Sequence, residues 1–134
     1  MKPSLFEKTP LLFWNDSYIA SQMLKAHLDP QSDAASKRPI IREKTVRWLT
    51  TNLKLNGKTK ILDIGCGPGL YCELFAKKKI PTTGLDFSEG SLWFARERAE
   101  KKNLKIDYLF KIISRWILRI ALMLFSLFMM TLVL

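Results

Sequence analysis

A chain of 134 residues, 48% hydrophobic and 25% charged, has the composition of a globular protein with room for one ordinary domain. The formal charge of +10 comes without a basic stripe interleaved with aromatics, without zinc-finger spacing and without a basic heptad, so specific nucleic-acid binding is not expected. One histidine and two cysteines six positions apart, Cys66 and Cys72, exclude a zinc site and read as reduced thiols of a cytoplasmic protein.

Composition breaks sharply near the end. All twelve acidic residues fall between Glu7 and Asp107, whereas residues 111–134 carry only Lys111, Arg115 and Arg119 in an otherwise apolar run. The two parts are therefore read separately.

Residues 1–12 read as an irregular arm, too polar and too proline-broken for a secretory signal. Asn15 or Asp16 offers an N-cap for a helix to about Leu28, with Ile19, Met23 and His27 at helical spacing. Asp29-Pro30 ends it, and a polar loop covers residues 31–37. Pro39 opens a second helix to about Leu53, its apolar face drawn from Ile41, Val46, Trp48, Leu49 and Leu53. Asn56-Gly57 is a turn. Short apolar runs then alternate with helices: a strand over Lys60–Ile64, a helix over Leu70–Lys79, a strand over Thr82–Asp86, a Ser88-capped helix over Glu89–Lys102, and a strand over Lys105–Phe110. The second of these helices buries Leu92, Ala95 and Ala99, and Trp48 and Trp93 are expected in the core. This alternation predicts an α/β fold, a doubly wound parallel sheet of the Rossmann-like kind with about three strands.

Such sheets bind ligands beyond the carboxyl ends of their strands. There the first strand runs into Asp63-Ile64-Gly65-Cys66-Gly67-Pro68-Gly69, and the second ends in Asp86, 21 residues after Gly65. Glycines let the backbone turn sharply and approach a ligand, and a carboxylate at the second position is placed to accept two hydrogen bonds from a ribose diol. A nucleoside-containing cofactor is expected. Against a nicotinamide dinucleotide stand three details: Leu70 replaces the third glycine of GxGxxG, Pro68 removes a phosphate-binding N–H, and Asp63 opposes a pyrophosphate.

The string ILDIGCGPGL followed by L-D-F-S resembles the first two motifs of the class I, seven-stranded S-adenosylmethionine-dependent methyltransferases. The resemblance covers roughly residues 58–110. It implies that Asp63 and the loop Gly65, Cys66, Gly67 and Gly69 line the methionine end of S-adenosylmethionine. It further implies that Asp86 holds the ribose hydroxyls and that Phe87 lies against the adenine. Residues 1–57 resemble the helical cap of small bacterial members, in which Phe13-Trp14-Asn15-Asp16 and Tyr18 stand near the substrate side. The simpler reading of Trp14 and Tyr18 is core, of Asp16 a cap, and of His27 a packed side chain. The implied activity is methyl transfer to a small-molecule acceptor, with a nicotinamide-dependent oxidoreductase fragment or a membrane-anchored nucleoside-binding module as alternatives. No metal, general base or oligomeric state is assigned.

Residues 112–134 are 23 in number, ~34 Å as a helix, enough to cross a ~30 Å hydrocarbon core. Membrane association through this tail is one expectation. The other is a shifted reading frame near codon 111. Reading one base earlier gives Asp across Trp116-Ile117, Met129-Met130 and Met130-Thr131, and permits F-D-V-V across Ala121–Phe125. That string resembles the family's fourth strand, which makes the chain incomplete as an enzyme. Sequencing the gene across that codon tests the idea, which fails if no open frame follows.

Overall fold

The computed structural model describes residues 16–111, which form α1 (Ser17–Leu28), α2 (Pro39–Asn52), β1 (Ile61–Ile64), α3 (Leu70–Lys77), β2 (Thr82–Asp86), α4 (Glu89–Lys101) and β3 (Asp107–Phe110). Asp16 caps α1, its Oδ1 accepting the Ile19 N–H at 3.0 Å. Asp29 is extended at ψ 113°, as the residue before a proline must be, and α1 stops there. Pro39 begins α2 with its fixed φ and no wasted donor.

The three strands are parallel in the order β1-β2-β3, with Ile61 opposite Thr82 and Thr83 opposite Asp107. Each crossover passes through a helix in the same spatial direction, so α3 and α4 lie on one face. Beneath them Cys66, Cys72, Leu92, Ala95, Ala99 and Tyr108 form the main core. A second cluster joins α2 to α3 through Val46 and Phe75, with Ile80 and the partly buried Ile61 of β1 packed beside them. Strand alternation turns Leu62 and Ile64 of β1 away from α3, and both are exposed.

Glu73 on α3 is buried and clamps α4: its Oε1 accepts the Arg98 Nε–H at 2.6 Å, and its Oε2 also accepts from Lys102. Burial would raise this carboxyl, but the two cations outweigh it and hold Glu73 below the ordinary carboxylate range.

The elements fall close to their expected positions, with specific corrections. The first crossover helix ends at Lys77 rather than Lys79, because Lys79 takes φ 59° and its N–H turns back to the Ala76 carbonyl. The third strand begins at Asp107, the first residue in register with β2. Trp48 and Trp93 are not core residues, being 60% and 64% exposed. Trp48 lies ~200° around the helix from the buried Val46, and Trp93 sits beside the narrow Leu92–Ala95–Ala99 stripe rather than on it. Tyr18 is likewise exposed, on the first turn of α1. Phe13, Trp14, Asn15, the N-terminal arm and the apolar tail 112–134 lie outside the described residues. Among the described residues no helix is long and apolar enough to cross a membrane.

Candidate functional site

The loop between β1 and α3 is held to the end of β2 by backbone bonds. Gly65 and Cys66 both donate to the Leu85 carbonyl, at 2.7 and 3.1 Å. Gly67 then donates to Oδ2 of Asp86 at 2.8 Å, while Oδ1 accepts the Ser88 N–H at 2.8 Å. Asp86 is buried, and each oxygen keeps a lone pair beyond the one its backbone partner uses. The turn needs left-handed backbone at Gly67 (φ 51°) and Gly69 (φ 73°), where other residues are strained. At Gly69 space is decisive as well, since a Cβ would run into the Tyr108 hydroxyl.

A cavity of about 400 Å³ opens in front of this loop. Gly65, Gly67, Asp86 and Phe87 wall one side, and Ala20, Met23 and His27 of α1 wall the other. That volume is within the ~300–1,000 Å³ typical of small-molecule sites. Four of the residues singled out in the sequence thus meet on one surface.

The other three do not line that cavity. Cys66 turns its sulfur into the core, toward Gly84 and Tyr108. Gly69 sits behind the loop as the N-cap of α3. Asp63 faces α3 and accepts from the Cys72 thiol at 3.3 Å. Burial raises the Asp63 carboxyl above its ordinary range, the Cys72 hydrogen bond opposes this without cancelling it, and the charge of Asp86 adds to the rise. The hydrogen-bonded neighbour Cys66, burial and Asp63 together push the Cys72 thiol up, so it is a protonated donor rather than a thiolate. Both cysteines are free. Among the described residues no group of His, Cys, Asp and Glu is arranged to hold a metal ion.

His27, expected as a packed side chain, stands at the edge of this cavity. Its Nδ1 pairs with the Ser36 hydroxyl at 2.7 Å, and the Cε1–Nε2 edge lies 3.7 Å from where a Gly67 Cβ would be. It is half-buried on the cavity wall rather than within the core. Burial lowers its pKa, and Asp86 works in the opposite sense. Helical spacing from Met23 was the one signal in the sequence, and it did not distinguish a packed face from a cavity wall.

A family model described as a methyltransferase domain matches residues 55–114. A ubiquinone biosynthesis O-methyltransferase of Pasteurella multocida is 38% identical over 89 residues, covering 65% of this chain and 36% of that protein. The protein of the same name from Stutzerimonas stutzeri is 40% identical over 63 residues, 47% of this chain and 27% of the relative. The chain therefore spans about a third of the length of these relatives. Among solved structures, magnesium protoporphyrin IX methyltransferase from Synechocystis PCC 6803 with bound S-adenosylhomocysteine superposes with a TM-score of 0.61 at 20% identity, over 75% of this chain and 48% of that one. This last likeness is one of fold. Strand order, glycine loop and buried acid after the second strand agree with the matched sequence, and together they support a class I S-adenosylmethionine-dependent methyltransferase domain over residues 55–114.

Proposed function

We propose that the cavity before the glycine loop binds S-adenosylmethionine, and that the protein transfers the methyl group of this cofactor to a small-molecule acceptor. The observation that carries the reading is Asp86. It is a buried carboxylate whose two oxygens are each fixed by one backbone N–H, with acceptor capacity remaining beside Phe87 and the cavity. A ribose diol offers two hydroxyl donors for those positions. Phe87 then lies against the adenine, and the Gly65–Gly69 loop lies along the methionine end. The raised Asp63 carboxyl stands behind that loop, where a cationic ligand would favour its ionised form.

The fit to this cofactor is chemical. It carries no phosphate, and the loop spends one position on Pro68, which has no N–H to give. When bound, it supplies a methyl group on positively charged sulfur. The chain's own contribution is to hold and orient: Asp86 through the ribose, the loop through close backbone approach, and α1 as the opposite wall. We assign residues 1–57 as the helical cap and 58–110 as the binding half-domain. The names of the relatives support a hydroxyl oxygen as the atom methylated.

Calorimetric titration of the full chain with S-adenosylhomocysteine and with NAD tests the reading. Saturable binding of the first is expected; binding of NAD without S-adenosylhomocysteine overturns it.

A further inference from the structure

We propose that His27 is a ligand-contacting residue of this site, its Nε2 hydrogen-bonding the molecule seated on the glycine loop and making α1 part of the binding surface. The inference rests on the cofactor reading above and adds a contact from outside the glycine loop and β2.

Three observations carry it. The imidazole has one nitrogen already occupied, since Nδ1 lies 2.7 Å from the Ser36 hydroxyl. That bond fixes the ring plane and leaves Nε2 as the nitrogen available to a ligand. The Cε1–Nε2 edge in turn faces Gly67, 3.7 Å from its absent Cβ, and the ring lines the same cavity as Asp86 and Phe87. A histidine present only to fill a core would be closed in on both edges, whereas this one is half-buried on the wall of a cavity of ligand size, and among the described residues its Nε2 has no hydrogen-bond partner.

The charge state is suited to the task. Partial burial holds the ring below its ordinary pKa and so neutral near pH 7, and a neutral ring does not repel a sulfonium. A neutral imidazole has one donor and one acceptor nitrogen. Whichever role Ser36 leaves to Nε2, the ligand has a partner for it: a carboxylate oxygen for an Nε2–H, an ammonium or hydroxyl for a bare Nε2.

His27 is the chain's single histidine, which makes a direct test simple. Imidazole labelled with ¹³C and ¹⁵N gives one set of ring signals, to be followed while S-adenosylhomocysteine is added to the full chain. A saturable shift of the Nε2 and Cε1–H signals is expected, with the same dissociation constant as calorimetry. His27→Ala should weaken binding about tenfold, the loss of one hydrogen bond, and His27→Gln should recover most of it. Ring signals that do not move at saturating ligand overturn the proposal even if the alanine variant fails to fold. Equal affinity of wild type and a folded His27→Ala overturns it too. A wild type that binds no S-adenosylhomocysteine overturns the cofactor reading itself, and this contact with it.

Discussion

The Gly67 N–H donates to Oδ2 of Asp86 at 2.8 Å, joining two residues 19 apart in sequence and closing the floor of the cavity. One carboxylate therefore has two positions to satisfy: it fixes the loop and faces the cavity. Asp86→Asn exposes the conflict, because an amide nitrogen must then face either the Gly67 or the Ser88 N–H. We expect a loss of about 1–3 kcal/mol in stability from the unsatisfied buried donor, measured by urea unfolding. Calorimetry should show S-adenosylhomocysteine affinity falling at least tenfold. Unchanged affinity in a folded variant would remove Asp86 from the site.

Asp63 is predicted to set stability against binding. Its carboxyl is raised by burial, so the stability it gives is present below its ordinary value of 3.8 and declines as pH rises through the folded value. Asp63→Asn should therefore melt higher than wild type at pH 7, with the gap closing toward pH 4. The asparagine oxygen can still accept from Cys72. Cofactor binding should weaken at the same time, because the negative charge behind the loop is gone. A variant less stable than wild type at pH 7 would contradict this account.

Glu73 has the opposite sign. It is held below the ordinary value of 4.5, so its contribution is complete above that value and lost as pH falls through the folded one. Glu73→Gln should cost about 2 kcal/mol near pH 7, less than the ~3–5 kcal/mol of a fully buried pair because Arg98 and Lys102 reach solvent. Thermal melts of the two proteins should converge in acid. A constant difference from pH 7 to pH 3 would mean that packing, not charge, joins α3 to α4.

Tyr108 and Gly84 make a pair of predictions about the core. Among the described residues the Tyr108 hydroxyl is buried without a hydrogen-bond partner. Tyr108→Phe should thus stabilise the chain by about 1 kcal/mol. Gly84 faces the same ring, and an added Cβ would lie 2.8 Å from Tyr108 Cδ1 and 2.8 Å from the Cys66 sulfur. Gly84→Ala should cost about 1–3 kcal/mol through overpacking. Because the clash involves ring carbons, Tyr108→Phe should not relieve it, and the two changes should add. A double-mutant cycle with strong coupling would show that the ring has moved.

Helix caps and strand ends were legible in the sequence because they depend on neighbours in the chain. Asp16, Pro30, Pro39 and Ser88 act within a few residues of themselves, and the elements begin or end where these residues stand. The second strand coincides with its expectation from Thr82 to Asp86. Which apolar residues are buried was less legible. Trp48 and Trp93 are large and apolar but point away from stripes only one or two residues wide, Val46 on α2 and Leu92, Ala95 and Ala99 on α4. Size and hydrophobicity do not give that direction.

By itself, then, the sequence determined the match of residues 55–114 to a methyltransferase domain, the order of the elements, and the pairing of a glycine loop with an acid 21 residues on. All of these are local patterns or spacings along the chain. Only the tertiary structure decided which of those residues share a surface. Strand alternation sends Asp63 toward α3 and Cys72, the turn sends the Cys66 sulfur into the core, and the packing of α1 carries the His27 ring to 3.7 Å from where a Gly67 Cβ would stand. That last approach joins residues 40 apart and depends on how a helix sits across the sheet, a relationship that no spacing in the chain encodes.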